Sequence, residues 1–421
     1  MTPPPAMDCI SASPSSKPCL LCHQHLSSFM SFGKQPIANG FLIEQDFARE
    51  YFYEMRVGFC ERCGAFQLME QPSREQMFNE NYAFFSGTSQ TMALHFKKFS
   101  EQVRTEFLTA ANPFVVEIGC NDGTMLRNFK ASGIRHLGID PSANVVAVAK
   151  AQGIDCMVSF FDRECAEKIV AERGQADAFI AANVMCHIPY LHSIVEGISL
   201  LVKKGGVAIF EDPYLGDVIR NTTYDQIYDE HTFLFSLQSI QYIFSQHGME
   251  LFHVEPQESH GGSMRYFLAH KGTRAASAAL QEWRRRESEM GLDRPETYQT
   301  FARNCDRYRA DLVQLVRSIR AQGKRIVGYA ATSKSTTILN YCGLTAADIE
   351  FISDTTPIKQ GKFSPGAHIP VKSHDAFAAD YPDYALLFGY NHAKEIMAKE
   401  SAFMAAGGKW LIYFPEVKVL T

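Results

Sequence analysis

Through the middle of the chain, short apolar runs alternate with longer amphipathic stretches. The apolar runs predict strands at 114–118, 135–139, 177–182 and 206–211, and the amphipathic stretches predict helices at 124–132, 142–152, 163–173 and 190–203. Strand–helix alternation of this kind implies a mostly parallel sheet with helices on its faces. Lys203-Lys-Gly-Gly206 marks the turn into the fourth strand. Two further strand patterns, 249–255 and 264–269, are joined through His260-Gly-Gly-Ser263, and this hairpin is expected to finish the sheet with an antiparallel edge. A charged helical pattern rich in Arg and Glu follows from about Ala275 to Gln322. A second α/β region then opens at Arg325-Ile-Val-Gly-Tyr329, with a helix near 335–341 and strands at 349–352, 384–388 and 409–413.

Upstream of this pattern, residues 19 to about 75 have the composition of short strands and turns around paired cysteines. From Ser73 to about Arg104 a helical pattern carries Met77, Phe78, Met92, Phe96 and Phe99, broken by a polar turn at Ser86-Gly87-Thr88. Met1 to Pro18 is rich in Pro and Ser, lacks the apolar stretch of a signal peptide, and reads as a disordered leader. The expected division is a leader (1–18), a cysteine-rich module (19–75), a central α/β domain (76–272), a helical connector (273–323) and a C-terminal α/β domain (324–421).

Hydrophobic residues make up 46% of the 421 and charged residues 21%, an ordinary globular balance. A formal charge of −5 offers no general attraction to nucleic acid or to an anionic membrane. No apolar stretch approaches the ~20 residues of a membrane helix. Of eleven cysteines, four stand as Cys19-Leu-Leu-Cys22 and Cys60-Glu-Arg-Cys63, with 37 residues between the pairs. A chain this long needs no disulfide framework, so a reducing cytoplasm is the expected setting. Two such knuckles suit tetrahedral zinc, with bonds to sulfur near ~2.3 Å, and four sulfurs leave no open position for catalysis. A redox pair is the competing reading, but neither knuckle sits beside a β-α-β pattern.

Residues Phe114 to Gly123 read as an apolar strand and a glycine turn leading into a helix. This is how a doubly wound domain presents a nucleotide-like ligand at its first strand end. The turn is not the dinucleotide pattern, since Asn121 stands where the second glycine would be. Asp140 ends the next strand, where a carboxylate can accept both ribose hydroxyls, and Asn183 ends the third. The set Glu117-Ile-Gly-Cys-Asn-Asp-Gly123, Asp140 and Asn183 resembles the class I S-adenosylmethionine-dependent methyltransferases over about 110–270. That resemblance implies a cofactor site of Glu117, Gly119, Asn121, Asp140, Pro141, Phe160, Asn183 and His187. Gly119 and Asn121 would line the loop and Asp140 would take the ribose. Asn183 would lie near the methionine part, and Phe160 or Phe161 beside the adenine. A dinucleotide dehydrogenase is the alternative.

The segment Tyr224 to Ser236 follows the fourth strand and should lie over the cofactor end of the sheet. Within it, His231 is the residue suited to proton transfer near neutral pH. Glu230 or Asp229 is expected to hold the imidazole in one tautomer, and Tyr228 to hydrogen-bond an enolate oxygen. A helix cap with a satisfied core histidine is the plain structural alternative.

The whole stretch 19–421 is similar to the sugar C-methyltransferases of deoxysugar pathways. The matching motifs are the two cysteine knuckles, Glu117–Gly123, Asn183-Val-Met-Cys-His187-Ile-Pro, Tyr228-Asp-Glu-His231 and His260-Gly-Gly-Ser-Met-Arg265, followed by Asp354 with Pro357, Lys359 and Pro365-Gly366. The resemblance implies three parts: a zinc-binding module, a Rossmann-like methyltransferase domain and a second Rossmann-like α/β domain. It also implies methylation at carbon 3 of a nucleotide-linked 4-keto-6-deoxysugar, with a thymidine-diphosphate sugar expected. His231 would be the base, supported by Glu230 and Tyr228, with Tyr82 brought over the site. His260, Arg265, Lys334, Tyr390 and Asn391 would contact the substrate. Lys334 precedes a helix, where an anion is well placed. Two positions depart from the family: Phe85-Ser86-Gly87 has a single serine, and Gly328 to Ser335 carries a more polar run than usual. The competing functions are an O- or N-methyltransferase on a sugar or small metabolite, and a zinc-ribbon binding protein with a degenerate methyltransferase core. The net charge and the lack of a Lys/Arg tract argue against a nucleic-acid partner. A monomer is compatible with all of these features.

Overall fold

The computed structural model describes residues 17–73, 77, 87 and 90–420, which form three sheets. Tyr82 lies outside the described residues. The first sheet is antiparallel. It is built from β1 (Lys17–Pro18), β2 (His25–Pro36), β3 (Phe52–Cys60), β4 (Ala65–Leu68) and, from much later in the chain, β10 (Phe233–Leu234), in that spatial order. In β3 the alternation of Tyr53, Met55 and Val57 with Glu54 and Arg56 buries one face, as a half-exposed strand requires. The edge at β4 is not free, because Phe233 pairs with Gln67 and Leu234 with Phe66. The cysteine-rich module is thus completed by the segment that carries His231.

The second sheet holds β5 (Phe114–Ile118), β6 (Arg135–Asp140), β7 (Cys156–Val158), β8 (Ala176–Ala182), β9 (Val202–Pro213), β11 (Met249–Gln257) and β12 (Ser263–His270). Its order is β11-β12-β9-β8-β5-β6-β7, with the strands from β7 to β9 parallel. Every residue of β5 is buried, as expected of a central parallel strand. The hairpin expected as an antiparallel edge is placed differently. Its second strand, β12, inserts between β9 and β11, antiparallel to both, so the edge strand β11 runs with the rest. Helices Arg163–Arg173, Leu191–Leu201 and Leu237–Ser245 cover one face through Ile169, Ile194, Ile198 and Ile240. Helices Gln90–Phe107, Leu126–Ala131 and Ala143–Ala151 cover the other through Phe99, Val103, Phe129 and Val146.

The charged helical segment is two helices, Ala278–Met290 and Pro295–Ala321. Gly291 ends the first at φ 67°, a conformation glycine adopts without steric cost, and Pro295 starts the second, where its missing N–H is harmless. The third sheet comprises β13 (Ile326–Tyr329), β14 (Ile352–Ser353), β15 (Val371–Lys372), β16 (Tyr384–Leu387), β17 (Lys409–Ile412) and β18 (Lys418–Leu420). Its order is β15-β14-β13-β16-β17-β18, parallel except at β18.

One apolar cluster joins Met55, Val57 and Phe66 of the first sheet to Tyr298, Phe301 and Leu312 of the long helix and to Ile338 and Leu386 of the C-terminal part. Tyr224 and Ile227 belong to the same cluster. The three sheets therefore close on one another, with the segment 214–236 running between them.

Candidate active site

The loop after β5 makes its turn with three left-handed residues, Gly119 (φ 62°), Asn121 (φ 50°) and Gly123 (φ 79°). Only glycine fits the first of these, because a Cβ on Gly119 would meet Val184 Cγ2 at 2.2 Å. The Gly119 and Cys120 amides both donate to the Ile139 carbonyl, which pins the loop to the end of β6. There the Asp140 carboxylate accepts from the amides of Asn121 (3.0 Å) and Ser142 (2.9 Å). Burial raises its carboxyl, and the amide hydrogen bonds oppose that rise.

These groups open onto a cavity of about 700 Å³. Gly119, Asn121, Asp140, Pro141, Phe160, Phe161, Asn183 and His187 line its methyltransferase side. The sulfonium cofactor fits this wall: the glycine turn leaves room for close approach, and a carboxylate waits at the second strand end. The buried side-chain oxygen of half-buried Asn183 has no partner among the described residues, while its amide nitrogen lies 2.8 Å from His260 Nε2. Glu117 differs from the expectation. It is buried inside β5 and does not line the cavity, and burial and the nearby Asp140 carboxylate push its carboxyl well up.

The opposite wall comes from Tyr228, Glu230 and His231, with Asn39 beside Glu230. The His231 Nδ1–H donates to the Gln226 carbonyl at 2.6 Å, since a carbonyl can only accept. Its Nε2 therefore carries the lone pair and accepts from the Tyr228 hydroxyl at 2.8 Å. The expected orienting carboxylates do neither job. Asp229 Oδ1 accepts from the Ala38 amide at 2.8 Å, and Glu230 Oε1 from Asn39 Nδ2 at 2.6 Å. The local turn explains the change: His231 N donates to the Tyr228 carbonyl, folding the ring back over residue 226 and turning both carboxylates toward the N-terminal module. The His187 ring stacks on His231 with centroids 5.3 Å apart. Burial, then the charge of His187, holds His231 well below the usual imidazole range. Burial brings His187 down to about 4 and His260 to about 3. All three rings are neutral near pH 7.

The third wall is C-terminal. Thr332 caps the helix Ser333–Cys342, and Lys334 in its first turn donates to the His260 carbonyl at 3.2 Å. His260, Lys334 and Asn391 line the cavity. Tyr390 does not: its hydroxyl donates to Asp225 (3.2 Å), and its ring lies 5.3 Å from the Lys334 ammonium. Arg265 does not either. It is 5% exposed, donates to Glu211 through Nε (3.1 Å) and Nη2 (2.8 Å), and stands over the Phe99 ring. Its place in β12, directly opposite Glu211 in β9, makes it a cross-strand ion pair. Lys359, one of the motif residues in the C-terminal part, also lines the cavity and donates to the Ala331 carbonyl at 2.8 Å. Burial lowers both lysines, against the pull of Asp225 on Lys334 and of Asp354 on Lys359.

Away from this cavity, the four knuckle cysteines gather as expected. Cys19 and Cys63 sulfurs are 3.5 Å apart, Cys22 and Cys60 sulfurs 3.4 Å, and all four lie within 4.8 Å of one another. Bonds of ~2.3 Å to one zinc place sulfurs about 3.8 Å apart, so the set fits a closed tetrahedral site.

Family models match in three consecutive pieces: a zinc-binding domain over 19–78, a methyltransferase domain over 93–254 and a C-methyltransferase C-terminal domain over 258–415. The chain is 32% identical to C-methyltransferase NovU of Streptomyces niveus over 406 residues, 96% of each protein. A ubiquinone biosynthesis O-methyltransferase of Sodalis glossinidius matches at 28% over 98 residues, 23% of this chain and 39% of that one. Among solved structures, a SAM-dependent methyltransferase from Anabaena variabilis covers 42% of this chain and 86% of its own (17% identity, TM-score 0.35). No helix among the described residues is long and apolar enough to cross a membrane. With a full-length relative and a C-terminal model specific to carbon methylation, the chain belongs to the C-methyltransferase family and is an S-adenosylmethionine-dependent enzyme with an N-terminal zinc-binding module.

Proposed function

We propose that the enzyme methylates carbon 3 of a nucleotide-linked 4-keto-6-deoxysugar, with thymidine diphosphate as the expected nucleotide and His231 as the base that forms an enolate. The observation that carries this reading is the tautomer of His231. With Nδ1–H committed to the Gln226 carbonyl, the basic Nε2 sits on the wall facing the cofactor loop across one cavity. S-adenosylmethionine supplies an electrophilic methyl group when bound.

A ketone at carbon 4 acidifies the hydrogen on carbon 3, so one base suffices. Nε2 takes that proton, and the Tyr228 hydroxyl transfers its hydrogen bond from Nε2 to the enolate oxygen. The low basicity of a buried imidazole is offset where the product is an anion. Lys334 and Lys359 bring positive charge to the same cavity, and their field favours an enolate over the neutral ketone. Lys334 and Asn391 suit the nucleotide diphosphate, and in this reading the C-terminal α/β domain binds the substrate. Tyr82 keeps its proposed role over the site, and the division at 19–75, 76–272, 273–323 and 324–421 is retained, with the segment around β10 shared between modules.

The test pairs methyl transfer with solvent exchange. His231→Ala should lose both methylation and deuterium exchange at the acidified carbon, by about 10²–10⁴-fold. Exchange that survives in the variant moves the base to Tyr82 or His187. Methyl transfer that survives in full points to O- or N-methylation, which needs no carbon-acid base.

A further inference from the structure

Besides the four knuckle cysteines, the described residues hold one more cluster of metal-type donors. The Cys186 sulfur and a ring nitrogen from each of His187 and His231 lie within 4.8 Å of one another. We propose that Cys186, His187 and His231 form a second metal site, which takes one thiophilic divalent cation such as zinc or cobalt and silences the enzyme while occupied.

The fold builds this cluster from two loops. The turn Met185–His187 after β8 presents Cys186 and His187 together, and Thr232 Oγ1 donates to the His187 carbonyl at 3.5 Å, joining this turn to the His231 segment. The two imidazoles stand nearly parallel, 21° between planes. His231 already has the arrangement of a metal-ligating histidine, with one ring N–H held by a carbonyl and the other nitrogen unprotonated. His187 and His231 face the cavity, so a cation has a route in.

The donor set is one sulfur and two imidazoles, which leaves a fourth position for water, as in zinc sites with three protein ligands. Bonds of ~2.0–2.3 Å put such donors about 3.3–3.6 Å apart, so the triad need contract by no more than about 1.5 Å. Binding is balanced by two changes: the Cys186 thiol releases its proton to solvent, and the Tyr228 hydroxyl gives up the His231 Nε2 lone pair to the cation. The positive charge of Lys334 nearby makes this site weaker than the four-cysteine one. Silencing follows only if His231 is the base, as proposed above, whereas occupancy of the site does not depend on that role.

The experiment uses full-length protein with its four-cysteine site filled by zinc, titrated with cobalt(II). Cobalt binds nitrogen and sulfur sites less tightly than zinc, so the first site stays filled. One further equivalent should bind, with thiolate-to-cobalt charge-transfer absorption. The absorption should vanish in Cys186→Ser, and affinity should fall at least tenfold in His187→Gln. Methyl transfer should decline in step with the absorption and return on adding a chelator. No such band at millimolar cobalt, or a band unchanged in both variants, overturns the site. Should Cys186→Ser fail to fold, His187→Gln decides alone. A band that forms while transfer stays intact keeps the site and refutes its silencing of His231.

Discussion

Asp225 offers a quantitative test of how the segment leading to His231 is held. It is fully buried, and its two carboxylate oxygens accept from the hydroxyls of Tyr390 (3.2 Å) and Tyr413 (3.4 Å), which belong to the C-terminal domain. Burial pushes its carboxyl up to about 6, with the Lys334 charge working the other way. In the unfolded chain the same group titrates near ~3.9. As pH rises from about 4 to 6, the unfolded chain gives up a proton that the folded protein keeps, so stability falls across that window and stays low above it. The full loss is about 3 kcal/mol, of which about half has accrued by pH 5. Asp225→Asn cannot ionise, and its amide can meet both phenols, accepting from one and donating to the other. The stability of the variant relative to wild type should therefore grow by about 1.4 kcal/mol between pH 5 and pH 8, measured by urea unfolding at each pH. The substitution also removes the carboxylate that supports the Lys334 charge, so KM for an anionic substrate should rise more steeply with pH in the variant. A stability difference that does not change with pH would refute the reasoning, because the carboxylate would then be ionised in the folded protein at no cost.

Other perturbations separate positioning from binding. Gly119→Ala meets Val184 at 2.2 Å and forces a side chain into the left-handed region, at about 1–2 kcal/mol for the backbone alone. Calorimetry should show S-adenosylmethionine binding weakened at least tenfold, with far-UV circular dichroism unchanged. Arg265→Met leaves buried Glu211 with His95 as its one charged partner and should destabilise the protein by about 3 kcal/mol. A raised KM without loss of stability would return Arg265 to the substrate. Removal of zinc with a chelator should open the N-terminal module and, because β10 pairs with β4, should also speed amide exchange around Phe233–Leu234. Exchange there that is indifferent to metal would mean the sheet holds without its cysteine staple.

The parts of this molecule legible in its sequence are those whose cause is local. A parallel strand such as Phe114–Ile118 is an unbroken apolar run, and the turn after it needs Gly119 whatever lies elsewhere. The cysteine knuckles also declare themselves, because their metal chemistry depends on spacing along the chain. What escaped the sequence is set by distant partners. The pairing of Phe233–Leu234 with β4 rests on two residues reaching back to positions 66 and 67. Arg265 reads as a free cation until the order β11-β12-β9 puts it opposite Glu211. Lys359 becomes a wall of the cavity only once the C-terminal domain docks. The clearest case is Tyr228 to His231, four adjacent residues whose identities suggest one self-contained acid–base relay. Only Tyr228 and His231 bond to each other, and the rest of the run is held from outside it. Asp229 is held by Ala38 and Glu230 by Asn39, both in the N-terminal module, while His231 is held by the backbone of residue 226. The helix Ser333–Cys342 grips the residue just before this stretch, through Thr337 to the Ile227 carbonyl, and the N-terminal module beside it, through Thr336 to the Ala38 carbonyl. A motif names the groups available for chemistry, but a backbone carbonyl has no letter in the sequence, and here it is the group that sets which nitrogen of His231 can act as a base.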